Sequence, residues 1–307
     1  MDGILALWKE RGMTSHDCVF KLRKILKTKK IGHGGTLDPD VDGVLPICIG
    51  KGTKVIEFMQ DSGKVYSGEI TLGYTTTTED KSGEKVEVMP IETPFSDAEI
   101  DEVMKSMEGE ITQIPPMYSA VKVNGKRLYA YAREGLTVER PKRIAQIKSF
   151  RRTTESFFDK KMKTQSWRFE VVCGKGTYVR TLAVDTGKKL GVPAHMSDLT
   201  RLESGGLKIS QALTLEQVTK AMETQRISKH LLPIEYGVAN FERVNIDDKI
   251  WQQVKNGMRL SPQTFGLEKM PNEPIALYYA GKVVALYVSN PKEKNKLKPL
   301  KMLRTEV

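Results

Sequence analysis

The strand and helix signals of the sequence agree with an α+β protein. Three observations carry this: strand-like alternation in KVYSGEITLGY, capped amphipathic helices lying between such strands, and an Asn124-Gly125 pair between two runs of strand character. That pair is the strongest short signal of an antiparallel hairpin.

Taken in order, Gly3 to Trp8 read as a short strand, after which Ser15 caps a helix whose apolar side is Val19, Leu22, Ile25 and Leu26. Its other face carries Lys21, Arg23, Lys24, Lys27, Lys29 and Lys30, balanced only by Asp17. The stretch GHGGTLDPDVDGVLP comes next. Tyr66, Gly68, Ile70 and Leu72 then share parity on one strand face, and the tip of that strand is rich in Thr. Ser96 and Glu99 form a capping box opening the helix DAEIDEVMKSM.

The segment IPPMYSAVKVNGKRLYAYAREG interleaves Tyr118, Tyr129 and Tyr131 with Lys122, Lys126, Arg127 and Arg133. Aromatics for stacking beside cations for phosphates is how looped RNA is held; tyrosines half-buried in a sheet are the plainer reading. From Trp167 to Cys173 a strand feeds GKGTYVRTLAVDTGKKLG, where Gly174 and Gly176 turn the chain into a helix with Tyr178 and Arg180 on its first turns. Composition shifts near LLPIEYGVANFERV. Beyond it, the helix IDDKIWQQVKN, with Gly257 as its stop, and the strands PIALYYAGKVVALYV and KPLKMLRT form a basic tail that reads as a compact add-on domain.

With 307 residues, 39% apolar and 28% charged, the chain suits one large soluble domain plus a small one. No apolar run is long enough to span a bilayer, and MDGILALWKERG resembles neither a signal nor a transit peptide, so the cytoplasm is expected. Cys18, Cys48 and Cys173 are unclustered and read as reduced core thiols; His16, His33, His195 and His230 are equally scattered, and no zinc site is visible. The excess of 49 Lys plus Arg over 38 Asp plus Glu gives +11, which favours a polyanionic partner, nucleic acid foremost, with plain solubility as the alternative.

Asp38, Asp40 and Asp42, with Gly43 next, spell the D-x-D-x-D-G of a calcium loop. A loop starting at Asp38 would need its bidentate Glu where Ile49 stands, and would hold Leu45, Pro46 and Ile47. Gly32, Gly34 and Gly35 give only G-x-G-G, with Leu37 at the third dinucleotide-binding position, and Gly50-Lys51-Gly52 lacks the Ser or Thr of a P-loop.

The stretch GHGGTLDPDVDGVLPICIGKGTK instead resembles the catalytic motif of the TruB family of tRNA pseudouridine-55 synthases, in which L-D-P is succeeded by three free positions and G-x-L-P. Asp38 falls on the catalytic aspartate, Asp40 and Asp42 on free positions. KVYSGEI is similar to the family's tyrosine motif, IPPMYSAVKVNGKRLYAYAREG to a segment typical of this branch, GTYVRTLAVDTG to the arginine motif and AHMSDLTRLESG to the leucine-bearing segment. These five ordered motifs cover residues 1 to about 210, and the remainder resembles the PUA-like domains that end such enzymes.

The resemblance implies a pseudouridine synthase fold over 1–240, a mixed, largely antiparallel sheet with flanking helices, then a small PUA-like β domain over 241–307. It implies Asp38 as nucleophile, Tyr66 as the stacking tyrosine and a candidate to move the C5 proton, Arg180 as the carboxylate's partner, and His33 as the residue that fills the space of a flipped base. Tyr178, Leu199, Lys122, Lys126 and Arg127 are the further expected substrate contacts. The implied substrate is the T stem-loop of tRNA, met by a monomer without an obligate protein partner. Pseudouridine formation changes no oxidation state, so no cofactor or metal is expected. Two other readings remain: a guide-dependent pseudouridine synthase acting on other RNAs, and an RNA-binding or RNA-folding protein.

Overall fold

The computed structural model describes residues 1–60 and 62–307. The chain opens with β1 (Gly3–Lys9), α1 (Ser15–Ile25), β2 (Ile31–His33) and β3 (Asp42–Ile49). Thr14, not Ser15, caps α1: its hydroxyl accepts from the Asp17 amide, and the Asp17 carboxylate accepts from the Thr14 N–H. Thr14 has the extended backbone a cap requires, whereas Ser15 already lies in the first turn. The helix stops at Ile25, so Lys27, Lys29 and Lys30 sit on the connection to β2 instead of on a helix face.

After α2 (Ile56–Gln60), β4 (Lys64–Leu72) buries Tyr66, Gly68, Ile70 and Leu72, as their shared parity predicts. A small hairpin of β5 (Tyr74–Thr76) and β6 (Lys85–Val88) precedes α3 (Asp97–Lys105), which begins at the expected Ser96/Glu99 capping box, and β7 (Gly109–Gln113). The hairpin around Asn124-Gly125 is shorter than its sequence suggests. Its arms, β8 (Lys122–Val123) and β9 (Lys126–Arg127), have two residues each, joined by two residues of positive φ. The chain then runs directly into α4 (Leu128–Arg133), so Tyr129 and Tyr131 stand on a helix. Leu, Ala and Arg in LYAYAR favour helix once the short pairing ends.

The rest of the large domain comprises β10 (Arg143–Arg152), β11 (Phe157–Asp159), β12 (Thr164–Cys173), α5 (Val179–Leu190), β13 (Ala194–Ser204), β14 (Leu207–Lys208) and α6 (Leu215–Glu223). Among the described residues, ten strands form the main sheet in the order β1-β3-β13-β4-β12-β10-β7, with β2 on β3, β11 on β12 and β14 on β13. All pairs are antiparallel except β3 with β13, which run parallel over two residue pairs, Asp42 with Thr200 and Gly43 with Arg201. Gly43 has φ 126°, and a Cβ there would lie 2.2 Å from the Arg201 carbonyl oxygen, so this close approach needs glycine. Ile70, Trp167 and Phe169 pack against Ile100 and Met104 of α3 and Leu182 of α5. Leu5 and Leu45 are covered by Val19 of α1 and Val218 of α6.

The tail consists of β15 (Glu242–Asn245), α7 (Asp248–Val254), β16 (Ile275–Tyr279), β17 (Lys282–Ser289) and β18 (Leu297–Met302), the strands forming a four-stranded sheet in sequence order. Trp251 and Val254 of α7 cover Leu277 and Tyr287. Ala276, Tyr278, Val283 and Leu286 instead pack with Ile4, Val44 and Val55 of the large domain. The tail is therefore not a free-standing addition. Phe241 meets Phe58 edge-on at 5.3 Å, and the Lys54 ammonium donates to the carbonyls of Met302 and Leu303.

Candidate active site

Asp38 lies on the loop between β2 and β3, and this loop is held by backbone bonds before any catalytic demand is made of it. Leu37 N–H donates to the Ser15 hydroxyl at 2.9 Å, Val41 N–H closes a turn onto the Asp38 carbonyl at 3.1 Å, and Pro39 O accepts from Gly12 N–H at 3.0 Å. Pro39 O also accepts from Lys9 Nζ at 3.0 Å. Lys9 is fully buried, and its ammonium donates to the Glu10 and Met13 carbonyls as well; burial pushes its pKa down. Three carbonyl acceptors compensate for the lost hydration of that charge.

Arg180 arrives on the first turn of α5. The start of that helix is tied to the sheet edge by buried Gln113, which donates to Tyr178 O at 3.1 Å and accepts from Tyr178 N–H at 2.9 Å. The Arg180 guanidinium is buried and stands 3.1 Å from Asp38 Oδ2. It also donates to the carbonyls of Thr78 at 3.0 Å and Tyr118 at 2.8 Å, and faces Asp80 at 3.7 Å. Asp38 lines a cavity of about 1190 Å³, with 42% of its side chain exposed. Burial raises its pKa above the ordinary carboxylate value; Arg180 opposes the rise and Asp80 adds to it.

Tyr66 on β4 lines the same cavity, opposite Arg201 in the β4–β13 register. Burial raises the pKa of its phenol, and the Arg201 charge opposes this. Arg201 is itself buried, with Nε donating to Val44 O at 2.8 Å and its terminal nitrogens to Gly35 O at 3.1 Å and Thr36 O at 3.4 Å. One guanidinium thus joins the loop that carries Asp38 to the strand pair that carries Tyr66.

Leu199, Tyr178 and Arg127 also line the cavity, while Lys122, Lys126 and His33 are not among its lining residues. Lys126 pairs with Glu134 and lies 4.8 Å from the centre of the Tyr131 ring; Lys122 is exposed. His33 ends β2, and burial together with the Arg201 charge lowers its pKa, so its ring is neutral at neutral pH. Burial raises the Tyr178 pKa. A smaller lobe of about 300 Å³ shares Asp38, Arg180 and Leu199 and extends toward Asp80, Arg11 and Asp198.

Sequence reasoning missed Asp80, Arg201 and Lys9. Asp80 sits just past the Thr-rich tip of a strand, and only folding brings that tip to Arg180. Arg201 stands inside AHMSDLTRLESG, two residues past Leu199, where nothing local marks it as buried against the loop of Asp38. The hydrophobic strand GILALWK did contain a signal for Lys9, a lone cation on a fully apolar run.

The N-terminal domain model of TruB family pseudouridylate synthases matches residues 23–179, and the model of the tRNA pseudouridylate synthase B C-terminal domain matches residues 180–239. The tRNA pseudouridine synthase B of Ligilactobacillus salivarius is 54% identical over 303 residues, covering 99% of both chains. That of Bacillus pumilus is 49% identical, covering 99% of this chain and 98% of the relative. Among solved structures, one chain of a Cbf5-Nop10-Gar1 complex is 28% identical with a TM-score of 0.73, over 98% of this chain and 85% of that one. A chain of an H/ACA RNP bound to a substrate RNA containing 2'-deoxyuridine is 26% identical with a TM-score of 0.71, over 98% and 85%. No helix among the described residues is long and apolar enough to cross a membrane. Full-length identity of about half to named relatives, together with family models that divide residues 23–239 between them, establishes that this chain belongs to the TruB family of pseudouridine synthases.

Proposed function

We infer that this chain is a tRNA pseudouridine synthase acting on the uridine at position 55 of the T loop, as a stand-alone monomer in the cytoplasm. The observation that carries the reading is the Asp38–Arg180 pair lining one cavity together with Tyr66. The target base of a stacked loop must leave the stack to reach a carboxylate so placed, and the cavity has room for a flipped nucleotide. Asp38 supplies the electron pair to the nucleoside as the N1–C1′ bond breaks, and withdraws as the C5–C1′ bond forms. The C5 proton leaves, N1 ends protonated, and no electrons are gained or lost. Burial raises the pKa of Asp38, and Arg180 opposes that rise and so favours the ionised form. The raised pKa of Tyr66 keeps its phenol protonated, which favours packing of its ring on the uracil over service as a free phenolate.

We assign residues 1–240 to catalysis and 241–307 to a PUA-like domain that contacts phosphates. Identity near 50% to relatives named tRNA pseudouridine synthase B, against 28% and 26% to the chains of the Cbf5-Nop10-Gar1 complex and the H/ACA RNP, supports the stand-alone reading. The test is nucleotide-resolution mapping after the purified chain is added to unmodified tRNA and to an isolated T-arm hairpin. Pseudouridine at position 55 in both is expected. Its absence from tRNA would remove the assignment, and reaction of tRNA alone would show that recognition extends beyond the T arm.

A further inference from the structure

The residues that must converge on the nucleotide lie on opposite sides of a short seam. Asp38 belongs to the loop entering β3, while Leu199 and Tyr66 belong to β13 and its neighbour β4. The β3 and β13 strands meet directly in the two parallel residue pairs at Asp42 and Gly43. A ladder this short fixes relative position weakly, since one strand can pivot on it.

Side chains reinforce that seam. Thr200 Oγ1 donates to Asp42 Oδ1 at 2.6 Å, and Arg11 Nε stands 3.2 Å from Asp42 Oδ2. The same guanidinium reaches Asp198 Oδ1 at 2.7 Å and the Leu199 carbonyl at 3.4 Å. Asp198 Oδ2 is held in turn by Arg168 of β12 at 3.2 Å. Burial works to raise the Asp198 pKa, but the bonds from Arg11 and Arg168 prevail and lower it. Two carboxylates and two guanidiniums thus run from the first residue of β3, where the catalytic loop ends, across β13 to β12. Asp42, a free position within the motif, has a partner on each side of the seam.

We propose that Arg11, with Asp42 and Asp198, is a positioning clamp that sets Asp38 against the base held at Leu199 and Tyr66. The proposal rests on the pseudouridine synthase reading. The bonds of Arg11 go to Asp42, Asp198 and the Leu199 carbonyl, not to Asp38 or Arg180; it acts by fixing the frame between the two walls. The planar fork of Arg serves this because it engages two carboxylates at once, which Lys cannot do in the same geometry.

The rival role for Arg11, whose side chain is 39% exposed, is a direct contact to an RNA phosphate. The two differ in what they change. A misplaced wall lowers turnover at saturating RNA, and about 1 Å of displacement is enough for roughly a hundredfold loss. A lost phosphate contact raises KM and flattens the salt dependence of binding by about 0.7 to 0.9 in log-log slope.

The experiment compares wild type, Arg11→Met, Arg11→Lys, Asp42→Asn and Asp198→Asn on unmodified tRNA, with binding measured across salt and melting measured for each. Expected are kcat losses of about 10- to 100-fold in Arg11→Met with Kd and salt slope near wild type, little recovery in Arg11→Lys, and an Arg11→Met/Asp198→Asn double variant no worse than Arg11→Met. Asp42→Asn keeps the acceptor for Thr200 and serves as the folded control if Arg11→Met melts early; a kcat loss of several-fold is expected. Wild-type kcat in Arg11→Met and Asp42→Asn, or a change confined to KM and salt slope, overturns the clamp. Inactive wild type would instead remove the functional reading itself.

Discussion

Arg180 stands 3.1 Å from Asp38 and 3.7 Å from Asp80, so one buried guanidinium faces two carboxylates while its remaining donors are fixed on the carbonyls of Thr78 and Tyr118. The cation cannot swing away to track either acid. Asp38 is 42% exposed and lines the large cavity, whereas Asp80, at 18%, lines only the smaller lobe, which makes Asp38 the group more available for chemistry and Asp80 the one that holds the arginine.

Asp38→Asn is expected to abolish turnover while tRNA affinity stays within a few-fold, because the amide keeps the shape and loses both charge and nucleophile. Single-turnover assay beside a filter-binding isotherm checks this. Measurable pseudouridine from the variant above about one thousandth of wild type would show that Asp38 is not the nucleophile.

The same substitution is expected to raise the melting temperature at pH 8. The pKa of Asp38 is raised in the folded protein, so between the unfolded value and the folded one the native state holds the extra proton, and stability falls as pH climbs through that window. Above it the folded protein carries an ionised group it disfavours, and Asn removes that burden. Melting at pH 5 and pH 8 should show the gain growing with pH.

Catalysis has the opposite sign. Asp38 must be ionised, so kcat should fall on the acid side in a limb displaced above the ordinary carboxylate range, and Arg180→Met should move that limb to higher pH, since the guanidinium is what opposes the rise. A limb that stays in place in the variant would mean that another group sets it.

The placement of Tyr66 on a buried strand face is legible because β4 alternates, and that of Arg180 at a helix start because two glycines announce the turn into α5; that they belong to a site is legible only from their likeness to the family's motifs. Asp80 is not legible, since its partner is 100 positions away and the chain between them carries no periodicity that foretells the meeting. The helical α4 was hidden for a different reason: Asn124-Gly125 signals a turn but does not state how far the pairing runs on either side. The shared core of the tail was hidden because Ala276, Tyr278, Val283 and Leu286 would read as one face of an independent sheet, and only the partner face, Ile4 and Val55, shows otherwise.

Arg201 is expected to matter for stability and chemistry together. Arg201→Met leaves the buried carbonyl of Val44, and the partly exposed carbonyls of Gly35 and Thr36, without their donor, a loss of about 1–3 kcal/mol. Melting should fall by several degrees, and kcat should fall as well because the loop bearing Asp38 loses its tie to β13. A variant with wild-type melting would show that water replaces the guanidinium without penalty.

The role of the tail in binding needs a test other than deletion. Truncation near Phe241 would expose Ile4, Val44, Val55 and Phe58, which the tail now covers, so the shortened chain should melt early or aggregate whatever its contacts with RNA. Neutralising exposed charge leaves that core intact. Lys292 and Lys294 lie on the exposed connection before β18, and Lys298 lies on β18 itself. Lys292→Gln, Lys294→Gln and Lys298→Gln combined should keep the wild-type melting temperature and kcat while raising KM. Each lysine that meets a phosphate should remove about 0.7 to 0.9 from the slope of log affinity against log salt. Binding isotherms at several salt concentrations measure this, and an unchanged slope in the triple variant would place the phosphate contacts elsewhere on the chain.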